Sequence, residues 1–272
     1  MDLDASRAHF VERGWVVLRG VLAPTRVQAM RDAVEQIFPG RLAASVPHSD
    51  GVPHMLEPTR RHPGLAAWLD ERAPFELAAH CLDAARVQLL QDDLLFKRAR
   101  ADDHLAWHQD ASYLGSLEPL RSISIRLALD PETEESGCMW VLDRSHLHGL
   151  FAPGVGARRV DDVLDRVPVG LRDARVPLAL SPGDVSLHDA FTLHASPPNR
   201  TEVPRRTLVV RVVPSAARMV RARMAPAFAA HTPLTPEGHL DPERFPLLPK
   251  LVDAPDGPTL PPPIGAPPAP AR

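Results

Sequence analysis

Cysteine is nearly absent from this chain: Cys81 and Cys138 are the only two in 272 residues. That excludes a disulfide framework and fits a reducing compartment. No pair has the C-x2-4-C spacing of a structural zinc site. Lysine is almost as scarce, with Lys97 and Lys250 alone among 31 basic residues. No apolar run approaches the ~18 residues of a membrane span, and Met1-Asp2-Leu3-Asp4 lacks the charged-then-apolar pattern of a signal peptide. A net charge of −3 leaves no electrostatic footprint for nucleic acid or an anionic membrane. What remains is an ordinary composition, 44% hydrophobic and 24% charged, long enough to bury a sizeable core. The expectation is a soluble cytoplasmic protein with a small-molecule partner.

Helical signals come first along the chain. Residues 6 to 38 read as a short helix, a strand and a longer helix, with Ser6 capping the first and Gly14 closing it. Val27, Met30, Val34 and Ile37 fall on one helical stripe. Residues 40 to 62 lack periodicity and read as a long loop. Residues 63 to 87 look helical again, through Leu65, Trp68, Leu69, Leu77 and Cys81.

Short β-rich runs follow: 87–96, 122–129, 139–142, 176–180, 185–187 and 207–213. In the second of these, Ile123, Ile125, Leu127 and Leu129 alternate with Ser124, Arg126 and Ala128, giving one apolar and one mixed face. Helices first and short strands later is an α+β pattern with a closed or double-layered β structure. Eight prolines in residues 255–270 exclude helix or ladder there. The division expected is one domain over 1–253 and a Pro-rich, disordered tail over 254–272.

The chemistry starts at Trp107-His108-Gln109-Asp110. Alternation puts His108 and Asp110 on the same side of an extended strand, so both can reach one ion. With His194 far downstream they supply two imidazoles and a carboxylate, the facial set of non-haem Fe(II) oxygenases. Such a set leaves positions free for a bidentate co-substrate and O2. Arg205 lies eleven positions after His194. A dicarboxylate co-substrate needs its counter-charge on a strand running back past the metal. Arg205 and Arg206 are adjacent and must face opposite ways.

Beyond these ligands, several segments resemble the phytanoyl-CoA dioxygenase family of Fe(II)/2-oxoglutarate-dependent oxygenases. They are Phe10 to Leu22, Lys97, Glu135-Ser136-Gly137-Cys138-Met139-Trp140-Val141-Leu142, Ser145-His146 and Pro182-Gly183-Asp184-Val185. The resemblance covers roughly residues 6 to 215. It implies a double-stranded β-helix, a cupin-like jelly roll with flanking helices, whose mouth holds Fe(II). The family pattern H-x-S-x-x-N selects His194, followed by Ser196 and Asn199, over His188 as third ligand. It assigns Arg205 and Ser196 to the far carboxylate of 2-oxoglutarate, and Lys97 and Asp93 to the co-substrate region.

Arg126 stands where some relatives carry an aromatic residue against the co-substrate, and an inward arginine there can instead hold a substrate carboxylate. Gln109, Tyr113 and Trp140 are further candidates for the substrate pocket. His48, His54 and His62 are candidates for its mouth, whereas His104 lies in a polar loop. The implied reaction consumes 2-oxoglutarate and O2, releases succinate and CO2, and hydroxylates a C–H bond of a small organic substrate. Related halogenases have a small residue in the place of Asp110, so the carboxylate argues for hydroxylation. Two alternatives stand beside this reading: a 2-oxoglutarate-independent metal-dependent jelly-roll enzyme, and a catalytically silent binding protein.

Overall fold

The structure is a computed structural model that describes residues 2–37, 52–151 and 163–249. The N-terminal part runs α1 (Leu3–Arg13), β1 (Trp15–Leu18), α2 (Pro24–Ile37), β2 (His54–Leu56), α3 (Pro58–Arg61), α4 (Pro63–Ala66) and α5 (Arg72–Cys81). Strands then dominate: β3 (Val87–Lys97), β4 (Leu105–His108), β5 (Leu117–Glu118), β6 (Ile123–Ala128) and β7 (Met139–Leu142). After α6 (Val169–Arg172) come β8 (Arg175–Leu178), β9 (Val185–Asp189), β10 (His194–Ser196), β11 (Arg205–Pro214) and β12 (Arg218–Met219). The last elements are α7 (Pro226–His231) and β13 (Leu247–Leu248).

Two antiparallel sheets face each other. The larger has the order β1-β9-β6-β11-β3-β13, with β2 also on β3, and the smaller has β4-β10-β7-β8. This is the double-stranded β-helix, an α+β jelly roll. The parity of each long strand divides its side chains between two environments. Ile125, Leu127, Leu187, Leu208 and Val210 face the helices and bury with Val27, Met30, Val34, Trp68, Phe75 and Leu77. The opposite parity faces the smaller sheet. Its registers place His188, Ser124, Arg211 and Gln91 side by side across β9, β6, β11 and β3. One row further along lie Ser186, Arg126, Val209 and Asp93, and at the far end Arg205 pairs with Lys97.

The alternation read over 123–129 and the stripe of α2 are both present, with Ile37 only partly buried. Three local expectations change. The cap of α1 is Asp2, whose Oδ1 accepts from the Ala5 N–H at 3.0 Å, so the helix begins before Ser6. Ser6 donates its hydroxyl to the Asp2 carbonyl instead. Gly14 does close the helix, at φ 84°. Residues 52–62, expected as loop, contain β2 and α3, because the edge of β3 offers backbone partners over Asp93–Leu95. Strands β4 and β10, outside the β-rich runs read from composition, carry site residues in place of an alternating apolar face, and β4 ends at His108, before Asp110. His48 and the Pro-rich stretch lie outside the described residues. Among the described residues, no helix is long and apolar enough to cross a membrane.

Candidate metal and co-substrate site

Strand pairing assembles the ligand set. His194 opens β10 directly opposite His108 at the end of β4, so both imidazoles project to one side with ring centroids 4.1 Å apart. Gln109 is extended (φ −120°, ψ 130°), which returns Asp110 to the side of His108. One donor atom from each of His108, Asp110 and His194 lies within 4.8 Å of the other two.

Each ligand is oriented by a second group. His108 Nδ1 faces the Ala106 carbonyl at 2.8 Å, and His194 Nδ1 faces the Thr192 carbonyl at 2.9 Å. A carbonyl only accepts, so each Nδ1 carries the proton and each Nε2 lone pair is left for a metal. Asp110 accepts from Ser124 Oγ at 2.6 Å and from Arg211 Nη2 at 3.0 Å. Burial alone would raise its pKa, but the Arg211 guanidinium beside it holds it well below the usual carboxylate range. Burial, then the imidazoles of His108 and His188, push His194 well below the ordinary histidine value. Two imidazole nitrogens and one ionised carboxylate, open on the cavity side, fit an Fe(II) facial set.

His188 stands beside this set. It is buried on β9, its Nε2 3.5 Å from Asp110 Oδ2 and its ring 4.4 Å from that of His194. Burial lowers its pKa, so it too is a neutral ring.

A cationic pole occupies the other end. Lys97 Nζ and Ser196 Oγ both donate to the Gly137 carbonyl, at 3.1 Å and 3.0 Å, and Arg205 Nη1 donates to the same oxygen. Lys97 also donates to the Pro197 carbonyl. This convergence requires glycine: Gly137 has φ 71°, and a Cβ there would meet the Pro197 oxygen at 2.1 Å. Burial first, then the Arg205 charge, push the Lys97 ammonium down to about 6. Arg126 donates to Glu132, Nη2 to Oε2, at 2.9 Å, and Thr207 Oγ1 donates to Glu132 Oε1. Arg205 Nη1 is 3.7 Å from the same Glu132 Oε2. Arg206 points the other way, into an ion pair with Asp130 (2.7 Å) and Glu35 (2.9 Å).

Between the two ends lies a cavity of about 240 Å³ lined by, among others, His108, Asp110, His188, His194, Arg126 and Arg205. Asp93, Tyr113, Ser196 and Arg211 also line it. Asp93 accepts from Gln91 Nε2 at 2.8 Å, and Tyr113 is 54% exposed at the rim. Two substrate candidates lie elsewhere. Gln109 points away from its neighbours His108 and Asp110 and braces a loop, donating to the Gly149 and Phe191 carbonyls and accepting from the Phe151 N–H. Trp140 has the parity opposite to Met139, which does line the cavity. His62 caps Gly64, His54 sits in β2, and His104 is exposed, facing the Asp102 carbonyl. Sequence reasoning missed Glu132, Ser124 and Arg211. An inward-facing arginine such as Arg126 was the signal for a buried carboxylate, and the parity shared by Arg205 and Arg211 was the signal for the latter.

Comparison with known proteins agrees with this geometry. A family model described as phytanoyl-CoA dioxygenase (PhyH) matches residues 10–207. A methylphosphonate hydroxylase from Gimesia maris is 27% identical over 217 residues, 75% of this chain and 78% of the relative. Among solved structures, the non-haem alpha-ketoglutarate-dependent carbocyclase SnoK of nogalamycin biosynthesis superposes with a TM-score of 0.77. It is 23% identical, over 90% of this chain and 95% of that one. The epimerase SnoN, in complex with Fe3+, alpha ketoglutarate and nogalamycin RO, has a TM-score of 0.72 at 20% identity, over 90% and 98% of the two chains.

Proposed function

The chain belongs to the phytanoyl-CoA dioxygenase family, and from that premise we propose that it hydroxylates a C–H bond of a small organic substrate. It is a non-haem dioxygenase dependent on Fe(II), 2-oxoglutarate and O2. His108, Asp110 and His194 would hold the iron. When bound, iron and co-substrate supply the oxidising power: one oxygen atom of O2 leaves in succinate, beside CO2, and the other enters the substrate.

The protein's own residues position and exclude. The carbonyls of Ala106 and Thr192 fix both imidazole tautomers. Arg211 and Ser124 keep Asp110 ionised and aimed. Arg205 with Ser196 would take the far carboxylate of 2-oxoglutarate, with Lys97 and Asp93 flanking it. The observation that carries this reading is the pairing of a three-ligand set with a buried cationic pole across one small cavity. Its volume, about 240 Å³, is below the ~300–1,000 Å³ of most ligand pockets. A co-substrate fills much of it, so the substrate is compact or extends past Tyr113. A carboxylate at position 110 supports hydroxylation. Residues 1–253 would form this oxygenase domain, with 254–272 as an appended tail.

The test is a screen of metabolites, under anaerobic conditions with Fe(II) and 2-oxoglutarate, for compounds that raise the melting temperature. Admitting O2 to each hit should give one succinate per substrate and a mass gain of one oxygen. If no compound ever couples decarboxylation to its own oxidation, a catalytically silent binding protein replaces the hydroxylase.

A further inference from the structure

Arg126 and Glu132 form a fully buried pair with 4% and 0% side-chain exposure. Their partners place them at the co-substrate end of the cavity. Two guanidiniums converge on one oxygen, Glu132 Oε2, with Arg126 Nη2 at 2.9 Å and Arg205 Nη1 at 3.7 Å. The pole therefore holds two arginines against one carboxylate. Lys97, with its pKa near 6, adds little charge at neutral pH. Cys138 cannot supply the missing anion, because burial pushes its thiol up to about 11. The buried Asp93 on the same face acts on Arg211. At the pole itself at least one positive charge stays uncompensated in a buried site, an arrangement costly enough to require a partner.

Two donors are unused. Arg126 Nη1 and Arg205 Nε are buried and have no hydrogen-bond partner among the described residues. Both side chains line the cavity. Buried donors are nearly always satisfied, so a ligand atom belongs here. One carboxylate brings the charge of the pole to zero and supplies the acceptors.

We propose that Arg126, held by Glu132, is a second arginine binding the distal carboxylate of the co-substrate together with Arg205. This rests on the functional reading above and goes beyond it. Arg126 then belongs to the co-substrate and leaves the substrate side to other residues. Glu132 is a positioning residue: it orients both guanidiniums and keeps their mutual repulsion from splaying them. The ligand class is a 2-oxo dicarboxylate, selected over 2-oxo monocarboxylates by two cations.

The experiment is an anaerobic titration of the Fe(II) protein, read by the weak visible band of the chelate, with 2-oxoglutarate and with 2-oxovalerate. The latter keeps the chelating end and lacks the distal carboxylate. Arg126→Gln alone strands Glu132, so the deciding variant is the double R126Q/E132Q, which leaves no unpaired carboxylate behind. It should bind 2-oxoglutarate about tenfold or more weakly, the size of one lost charge-assisted hydrogen bond. Its affinity for 2-oxovalerate should stay within about twofold of wild type. A double variant that binds 2-oxoglutarate like wild type would mean that Arg126 serves only to neutralise Glu132, and the proposal falls. Equal losses for both acids would put Arg126 at the chelating end and overturn the assignment as well. A wild-type protein that gives no band with either acid defeats the co-substrate reading itself, a different and visible failure.

Discussion

The two ends of the cavity are built on opposite principles. At the metal end the ligands are set before anything binds: both imidazoles are locked by carbonyls, and Asp110 accepts from Ser124 and Arg211. At the acid end the groups are positioned but not balanced. Lys97, Ser196 and Arg205 crowd one backbone oxygen, and two arginines share one glutamate. Preorganised imidazole nitrogens suit a cation that must be gripped in a fixed geometry. Surplus buried positive charge suits an anion that completes the site on arrival and leaves as a shorter acid. The three ligands of the first end are held by satisfied partners, although His188 and Arg211 behind them keep unpaired nitrogens among the described residues; the second end lacks a counter-charge for its arginines.

The largest effect expected from breaking this comparison is at the metal end. Replacing any one of His108, Asp110 or His194 by Ala should abolish the visible Fe(II)·2-oxoglutarate band. His188→Ala should retain it, because His188 stands beside the three-donor set. A variant set in which His188→Ala loses the band and His194→Ala keeps it would reassign the third ligand and with it the strand that carries the site.

At the acid end the comparison is between neighbours on β11. Arg205→Ala removes a buried cation from the carboxylate it would hold, a loss of about 3–5 kcal/mol for broken buried pairs. Apparent affinity for 2-oxoglutarate should fall at least ~100-fold. Arg206→Ala breaks an ion pair with Asp130 and Glu35 on the far side of the strand and should leave that affinity nearly unchanged. Equal effects would mean that the acid end does not discriminate the two faces of β11.

The same contrast explains what the sequence revealed and what it hid. Long periodic segments were readable because burial imposes a period: Val27, Met30 and Val34 on α2, and Ile123, Ile125 and Leu127 on β6. Strands β4 and β10 lack that period, because site residues stand where an alternating apolar face would be. The metal end was legible because His108, Asp110 and His194 are chemically rare together. The counter-charge at the acid end was not, since Glu132 sits in the acidic run Glu132-Thr133-Glu134-Glu135, which reads as a solvated turn. Strand parity also carried information that chemistry-led reading passed over. Gln109, between two ligands that share a side, must face away from them, and Trp140 must oppose Met139.

The most gradual effect expected is the pH dependence of stability from Lys97, and it sharpens the claim that the acid end is unbalanced when empty. The unfolded lysine titrates near its ordinary 10.5, whereas burial and Arg205 bring the folded value down to about 6. Between these values the unfolded chain holds a proton that the folded chain has released. Stability from this group therefore rises with pH across that window, by at most about 1.4 kcal/mol per pH unit. Below about pH 6 both states are protonated, and the burial penalty is present in full. Lys97→Met removes the titration but takes the lysine's donor from the Pro197 carbonyl, so its absolute stability is a balance of two effects. The difference between variant and wild type is the cleaner measure. Measured by urea denaturation without co-substrate, it should shift steadily in favour of wild type from pH 6.5 to 9. Excess 2-oxoglutarate with Fe(II) should flatten that trend, because an anion at the pole raises the lysine's folded pKa toward its unfolded value. A trend that is flat without ligand would mean that Lys97 stays protonated beside Arg205, and that the empty pole carries a further positive charge.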